Sequence, residues 1–239
     1  MKKVLFSLII IFSPALLWSQ GLKIGIQTGL EYSNMRELRG LNLQFKSAVP
    51  FDTKLVADFP GYWYYQPIIK IAFKKFGVGL DYSYNSTGSR LSGKDYSGEY
   101  RLDLRINKKS PGIFVEYSLL SQNNVGLWLC SGGGMMYTSL HLEENLEVNN
   151  INILANSFNF KSKNYYIQPG FKAVYPWNSL EFEFNAAWLI QAGKGTFYNE
   201  KDHNLVLSNM VTGNPVKPEW NGLKIGITVY YVMIKSKSD

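Results

Sequence analysis

Three observations predict an all-β fold. Apolar residues recur at every second position, the N-terminus carries an export pattern, and short connections alternate with long ones. Together they predict an eight-stranded antiparallel transmembrane β-barrel with short periplasmic turns and long external loops. Composition agrees. Of 239 residues, 15% are aromatic and 18% charged, and a mean hydropathy of -0.13 is too low for a helical membrane protein. A single Cys rules out a disulfide framework and a Cys-rich zinc site, and two His leave little material for a metal cluster.

Met1-Lys2-Lys3 is a basic start, Val4 to Trp18 an apolar run broken by Pro14, and Ser19 a small residue before a cleavage point. That run is short of the ~20 residues a spanning helix needs. Residues 1–19 therefore read as a signal peptide and 20–239 as the barrel domain. The expected location is the outer membrane.

The strands follow in order. Leu22, Ile24, Ile26, Thr28, Leu30 and Tyr32 alternate with Lys23, Gly25, Gln27, Gly29 and Glu31. Next, Trp63, Tyr65, Pro67, Ile69 and Ile71 alternate with Gln66 and Lys70, and Phe76, Val78, Leu80, Tyr82 and Tyr84 with Gly77, Gly79 and Asp81. In the fourth segment the apolar phase changes. Tyr100, Leu102, Leu104 and Ile106 are even, whereas Ile113, Val115, Tyr117 and Leu119 are odd. A bulge near Lys108 to Gly112 would shift the face by one, making residues 97–120 one bulged strand; a turn there would make them two. The fifth segment runs from Val125, Leu127 and Leu129 through Gly132-Gly133-Gly134 to Tyr137. The sixth carries Tyr165, Ile167, Phe171 and Tyr175, the seventh Leu180, Phe182, Phe184 and Trp188, and the eighth Leu223, Ile225, Ile227 and Val229.

Short connections are expected at Lys74-Lys75, Ser121 to Asn124 and Pro176 to Ser179. Long loops are expected at Asn34 to Tyr62, Ser86 to Ser97, His141 to Asn156 and Gly193 to Glu219. Aromatic residues mark two rims. Phe73, Phe76, Tyr117, Tyr175 and Trp177 fall on the periplasmic side; Trp63, Tyr65, Tyr82, Tyr84, Tyr137, Tyr165 and Trp220 fall on the outer side. Gly21-Leu22-Lys23-Ile24-Gly25-Ile26 recurs as Gly222-Leu223-Lys224-Ile225-Gly226-Ile227, in the first and last strands, which must pair to close a barrel. A soluble lipocalin-type barrel would alternate equally well but with its apolar face inside.

Over Gly21 to Lys235, the order of these segments resembles the small outer-membrane β-barrel family that includes PorT-like proteins. The matching pieces are Lys23 to Leu30, Val78 to Ser83, Ser118-Leu119-Leu120, Gly132 to Tyr137 and Gly226 to Tyr231. The resemblance implies a role in protein secretion, gliding or envelope integrity.

No nucleotide-binding loop, zinc-protease motif, Cys-x-x-Cys or nucleophile elbow is present. Ser139, His141 and Glu143 would share one strand face near the outer rim, the arrangement a lipid hydrolase would need. The primary expectation is instead a non-enzymatic barrel without cofactor or metal, with a lipid hydrolase or an apolar-ligand transporter as alternatives. The inward face supplies the candidate site: Lys23, Glu31, Lys70, Asp81, Glu116, Lys172, Glu181, Glu183 and Lys224. Packed together they would form a plug, with Lys224 pairing Glu181 or Glu183 and Lys23 pairing Glu31, Asp81 or another inward acid. Arg36, Arg39, Lys46, Lys54, Arg90 and Lys94 in the loops would face lipopolysaccharide phosphates. The expected partners are outer-membrane lipid, lipopolysaccharide and an envelope or secretion-machinery protein. Nucleic acid is not expected, because no basic stripe carries interleaved stacking aromatics.

Overall fold

The computed structural model describes residues 21–49, 52–96, 98–122, 125–149, 151–193 and 195–233. The expected signal peptide lies outside the described residues. The elements are β1 (Gly21–Ser33), α1 (Arg36–Ala48), β2 (Lys54–Asp58), β3 (Tyr62–Ala72), β4 (Phe76–Lys94) and β5 (Gly98–Gln122). They continue as β6 (Val125–Val148), β7 (Ile151–Trp177), β8 (Leu180–Ala192), β9 (Tyr198–Asn199) and β10 (Gly222–Val232).

The pairings form a ring of antiparallel strands. β1 pairs β3, and the ladder passes through β4, β5, β6, β7 and β8 to β10, which pairs back to β1. The first and last strands therefore do pair, although the repeated segments they carry lie at opposite ends of the ladder, Gly25 opposite Tyr230 and Gly222 opposite Ser33. Their ladder sets Gly29 opposite Gly226, where a Cβ on Gly29 would lie 2.0 Å from the Ile225 carbonyl oxygen. Closure at this seam depends on that bare approach.

Polarity is inverted around the ring. Ile24, Leu80, Leu129, Phe171, Phe184 and Ile227 are exposed, while Lys70, Glu116, Lys172, Glu183 and Lys224 are buried. The aromatic residues assigned to the rims are exposed at Trp63, Tyr65, Phe76, Tyr82, Tyr84, Tyr117, Tyr137, Tyr165, Tyr175 and Trp177. Trp220 departs from this pattern. It is buried, donates from Nε1 to Thr138 Oγ1 at 3.0 Å, and covers the Lys108 ammonium at 4.7 Å.

The three short connections occur where expected, between β3 and β4, β5 and β6, and β7 and β8. Two of the expected long loops are instead strand. β4 continues to Lys94 and meets β5 from Gly98, and β6 runs to Val148 before β7 begins at Ile151. Nor does β5 break phase. Tyr100, Leu102, Leu104, Ile106, Lys108, Ser110, Phe114 and Glu116 all face inward, and the register shift lies between Ser118 and Leu120. The apolar set changes parity because the interior changes character along the strand.

The interior has two storeys. Between the short strands it is polar and charged. Where β4 to β7 overshoot the others, their inner face turns apolar through Leu91, Tyr100, Leu102, Leu104, Met136, Leu140 and Phe160. α1 covers that face. Leu38, Leu41 and Phe45 recur at helical spacing, and Met35, Leu38 and Leu41 are fully buried. Met35 is left-handed and offers no side-chain cap. Glu219 supplies one, its Oε2 accepting from Arg36 N at 3.0 Å. Glu37 in the first turn and Lys46 in the last suit the helix dipole. The segment after β8 completes the cover with Phe197, Val216 and Trp220.

Candidate functional site

The lower storey holds the charged network. Successive inward residues on each strand lie about 6–7 Å apart along it, so neighbouring strands bring several long side chains to one level. Lys70 Nζ on β3 lies at the centre, 2.8 Å from Glu116 Oε1, 3.2 Å from Glu181 Oε1 and 2.5 Å from Glu183 Oε1. Lys172 on β7 bridges Glu116 Oε2 at 2.9 Å and Glu183 Oε2 at 3.2 Å. Lys23 on β1 reaches Glu181 Oε2 at 2.5 Å. Lys23 and Lys70 stand opposite each other across the β1–β3 ladder. Glu181 offsets that like-charge pairing by accepting from both. Aromatic faces line the same space, with the Lys70 ammonium 4.3 Å from the Tyr230 ring centroid and that of Lys172 4.7 Å from Phe114. Glycines open room for these rings. A Cβ on Gly25 would lie 2.5 Å from Tyr230 Cδ1, and one on Gly226 would lie 2.2 Å from the Tyr64 hydroxyl.

A second group lies above it. Lys108 and Glu31 form a fully buried ion pair. Lys224 donates to Gln66 Oε1 at 2.5 Å and to Ser83 Oγ at 3.1 Å, with its ammonium 4.1 Å from the Tyr64 ring centroid. Lys224 therefore does not pair with Glu181 or Glu183. The register explains why. Glu183 stands opposite Thr228 and Glu181 opposite Tyr230. Four residues of strand separate Lys224 from the nearer level, about 13 Å. Lys70, arriving from across the ring, takes both glutamates. Lys23 does find an inward acid, Glu181. Asp81 is partly buried among Gln66, Gln168 and Lys172 around a small internal cavity.

Lys108 is the residue the sequence pattern missed. The supposed phase change at Lys108 to Gly112 hid it, although unbroken even parity from Tyr100 to Glu116 places it inside. With it, Lys23, Lys70, Lys108, Lys172 and Lys224 stand against Glu31, Asp81, Glu116, Glu181 and Glu183. Five positive charges meet five negative ones when all are ionised. Such a set suits a plug, because each buried ion is offset by neighbours rather than by water.

Ser139, His141 and Glu143 do share a face, but it is the outer wall. His141 Nδ1 lies 2.8 Å from Asn159 Oδ1, and Nε2 leans to Glu143 Oε2 at 3.9 Å. Both ring nitrogens therefore face partners other than Ser139, one toward Asn159 and one toward Glu143. Among the described residues, no group of three or more His, Cys, Asp or Glu is placed to hold a metal ion.

Most of the cations assigned to the loops are already engaged. Arg36 pairs Glu219, Arg39 pairs Asp58, and Lys94 pairs Glu99. Arg90 and Arg101 converge on Asp103 at 2.6 and 2.5 Å. Partial burial raises the Asp103 carboxyl, but the two guanidinium groups outweigh it and hold its pKa below the usual range. The chain matches no protein-family model and no curated protein sequence.

Proposed function

We propose that this chain is an eight-stranded transmembrane β-barrel of a bacterial outer membrane, non-enzymatic, with a structural or interaction role in the envelope. The observation that carries the reading is inverted polarity: a charge-balanced interior inside a wall of exposed apolar side chains. A soluble barrel has no physical reason to expose so large a contiguous apolar band. On β4 the band runs from Phe76 to Tyr84, about 27 Å of strand at ~3.4 Å per residue. At a ~40° tilt that is about 20 Å of height, near the ~25 Å of a barrel's lipid belt. Above Tyr84 the outward residues of β4 and β5 become polar, including Arg90, Arg101 and Arg105. The extension beyond the belt, β2 with the upper parts of β4 to β7 and α1, is the surface that meets partners outside the membrane. A secretion or gliding assembly is the partner class that the PorT-like resemblance suggests.

The test is direct. The mature chain should partition into detergent and run as a compact band unless boiled, because a closed ladder resists detergent unfolding. A chain that stays in the aqueous phase and migrates identically before and after boiling would reject the membrane barrel.

A further inference from the structure

Across β4 to β7, one level of the outer wall reads Tyr84, Lys109, Tyr137, Lys163, each opposite the next in register. All four are exposed. Lys161, one outward step above, is occupied by Glu200 at 2.5 Å. Lys109 and Lys163 have no carboxylate partner among the described residues. Lys163 leans along the level toward Lys109, its ammonium 5.8 Å from the centroid of the intervening Tyr137 ring. The two lysines are two strands apart, about 10 Å between backbones. Flexible four-carbon stems let both ammonium groups meet one phosphate.

Directly below lies a recess in the apolar wall of about 880 Å³. Its floor is Gly133, and Leu80, Ile113, Met135, Tyr165 and Ile167 border it. The level Leu80, Ile113, Gly133, Ile167 has large side chains at every position except the glycine. From Lys109 to Ile113 is four residues, about 13 Å along the strand. That places an apolar trough beneath a pair of unpaired cations on one stretch of wall, with tyrosines between them.

We propose that this face is a binding site for lipid A of the outer leaflet, with a phosphate on Lys109 and Lys163 and an acyl chain over Gly133. The inference rests on the outer-membrane reading. Charge complementarity selects the phosphate, since an ammonium pair beside low-dielectric lipid is stabilised by an anion. The recess selects the acyl chain, because a trough lined by apolar side chains is best filled by an alkyl segment. A zwitterionic phospholipid satisfies the trough but returns its own ammonium to the lysines.

The experiment is native mass spectrometry of the full mature chain released from detergent micelles. Its probes are phosphorylated lipid A, the same lipid A after phosphate removal, and phosphatidylethanolamine. Phosphorylated lipid A should be retained at least about tenfold better than the other two, the order expected for a charge-assisted contact. Lys109→Gln with Lys163→Gln should erase that preference, while Lys161→Gln should keep it. Ser131→Trp, on the exposed wall at the recess, should weaken retention of every acyl lipid. Equal retention of phosphorylated and dephosphorylated lipid A, or an unchanged preference in the double variant, would overturn the site. The unboiled gel band of the same samples separates the two readings. A heat-shifted band without lipid preference rejects the site alone; no heat shift rejects both.

Discussion

At the scale of single residues, Lys70 and Lys224 are equally buried and differ in what they hold. Lys70 touches three glutamates, whereas Lys224 touches an amide, a hydroxyl and a ring face. Lys70→Met would leave Glu116, Glu181 and Glu183 crowded around a methyl group. Removing one partner from such a network costs ~3–5 kcal/mol. Lys224→Met leaves Gln66 and Ser83 short of one donor, a loss of about 1–3 kcal/mol. The urea midpoint for loss of the compact gel band should therefore fall much further for Lys70→Met. Equal midpoints would mean the ions are hydrated in place and the network is not a dry plug. Sequence periodicity placed both lysines inside but could not rank them. Their partners come from strands that are remote in the chain, with Lys70 and Glu181 separated by 111 positions.

At the scale of elements, α1 is the piece that periodicity at spacing two could not find. Its own signal, Leu38, Leu41 and Phe45, has helical spacing and lies in a stretch otherwise resembling an external loop. The helix sets its apolar face, Leu38 and Leu41 with Met35 before it, against the upper strands, and its polar face meets the segment after β8, where Glu37 accepts from Lys217 N and Gln44 from Met210 N. Leu38→Ala should cost about 2–5 kcal/mol of local stability, as other buried leucines do. Leu41→Asp should detach the helix altogether, because a carboxylate cannot remain in that apolar layer unpaired. Limited trypsin digestion checks this: cleavage should appear at Arg36, Arg39 or Lys46 while the strands survive as a protected fragment. Unchanged protection of those sites would show that α1 is anchored by its polar contacts, Arg36 to Glu219 and Arg39 and Asn42 to Asp58, rather than by its apolar face. The same scale explains β5. Alternation was legible along its whole length, but its apolar members swap sides near Lys108 because the interior below is ionic and the interior above is apolar. A reader of one strand sees a phase slip; the neighbours show an unbroken strand passing between two environments.

At the scale of the whole molecule, the balanced charges have a functional consequence. The lower storey is filled by lysine and glutamate side chains, and the upper storey is closed by α1, Phe197, Val216 and Trp220. Reconstituted into planar bilayers, residues 20–239 should produce no stable conductance steps. Steady channels would require the Lys70 and Lys172 bridges to open and would favour a transport role. The sequence by itself determined that strands dominate, which residues share a face, where three tight turns fall and that the first and last strands carry the same segment. Those features are local, since side-chain direction alternates with every residue and tight turns need only adjacent positions. Tertiary structure alone decided which inward cation meets which acid, that Lys108 completes the set, and that two expected loops are strand over an apolar core. Each of these depends on the register between strands far apart in the chain, and register determines height within the ring. Two inward residues form a pair only when they come to the same height.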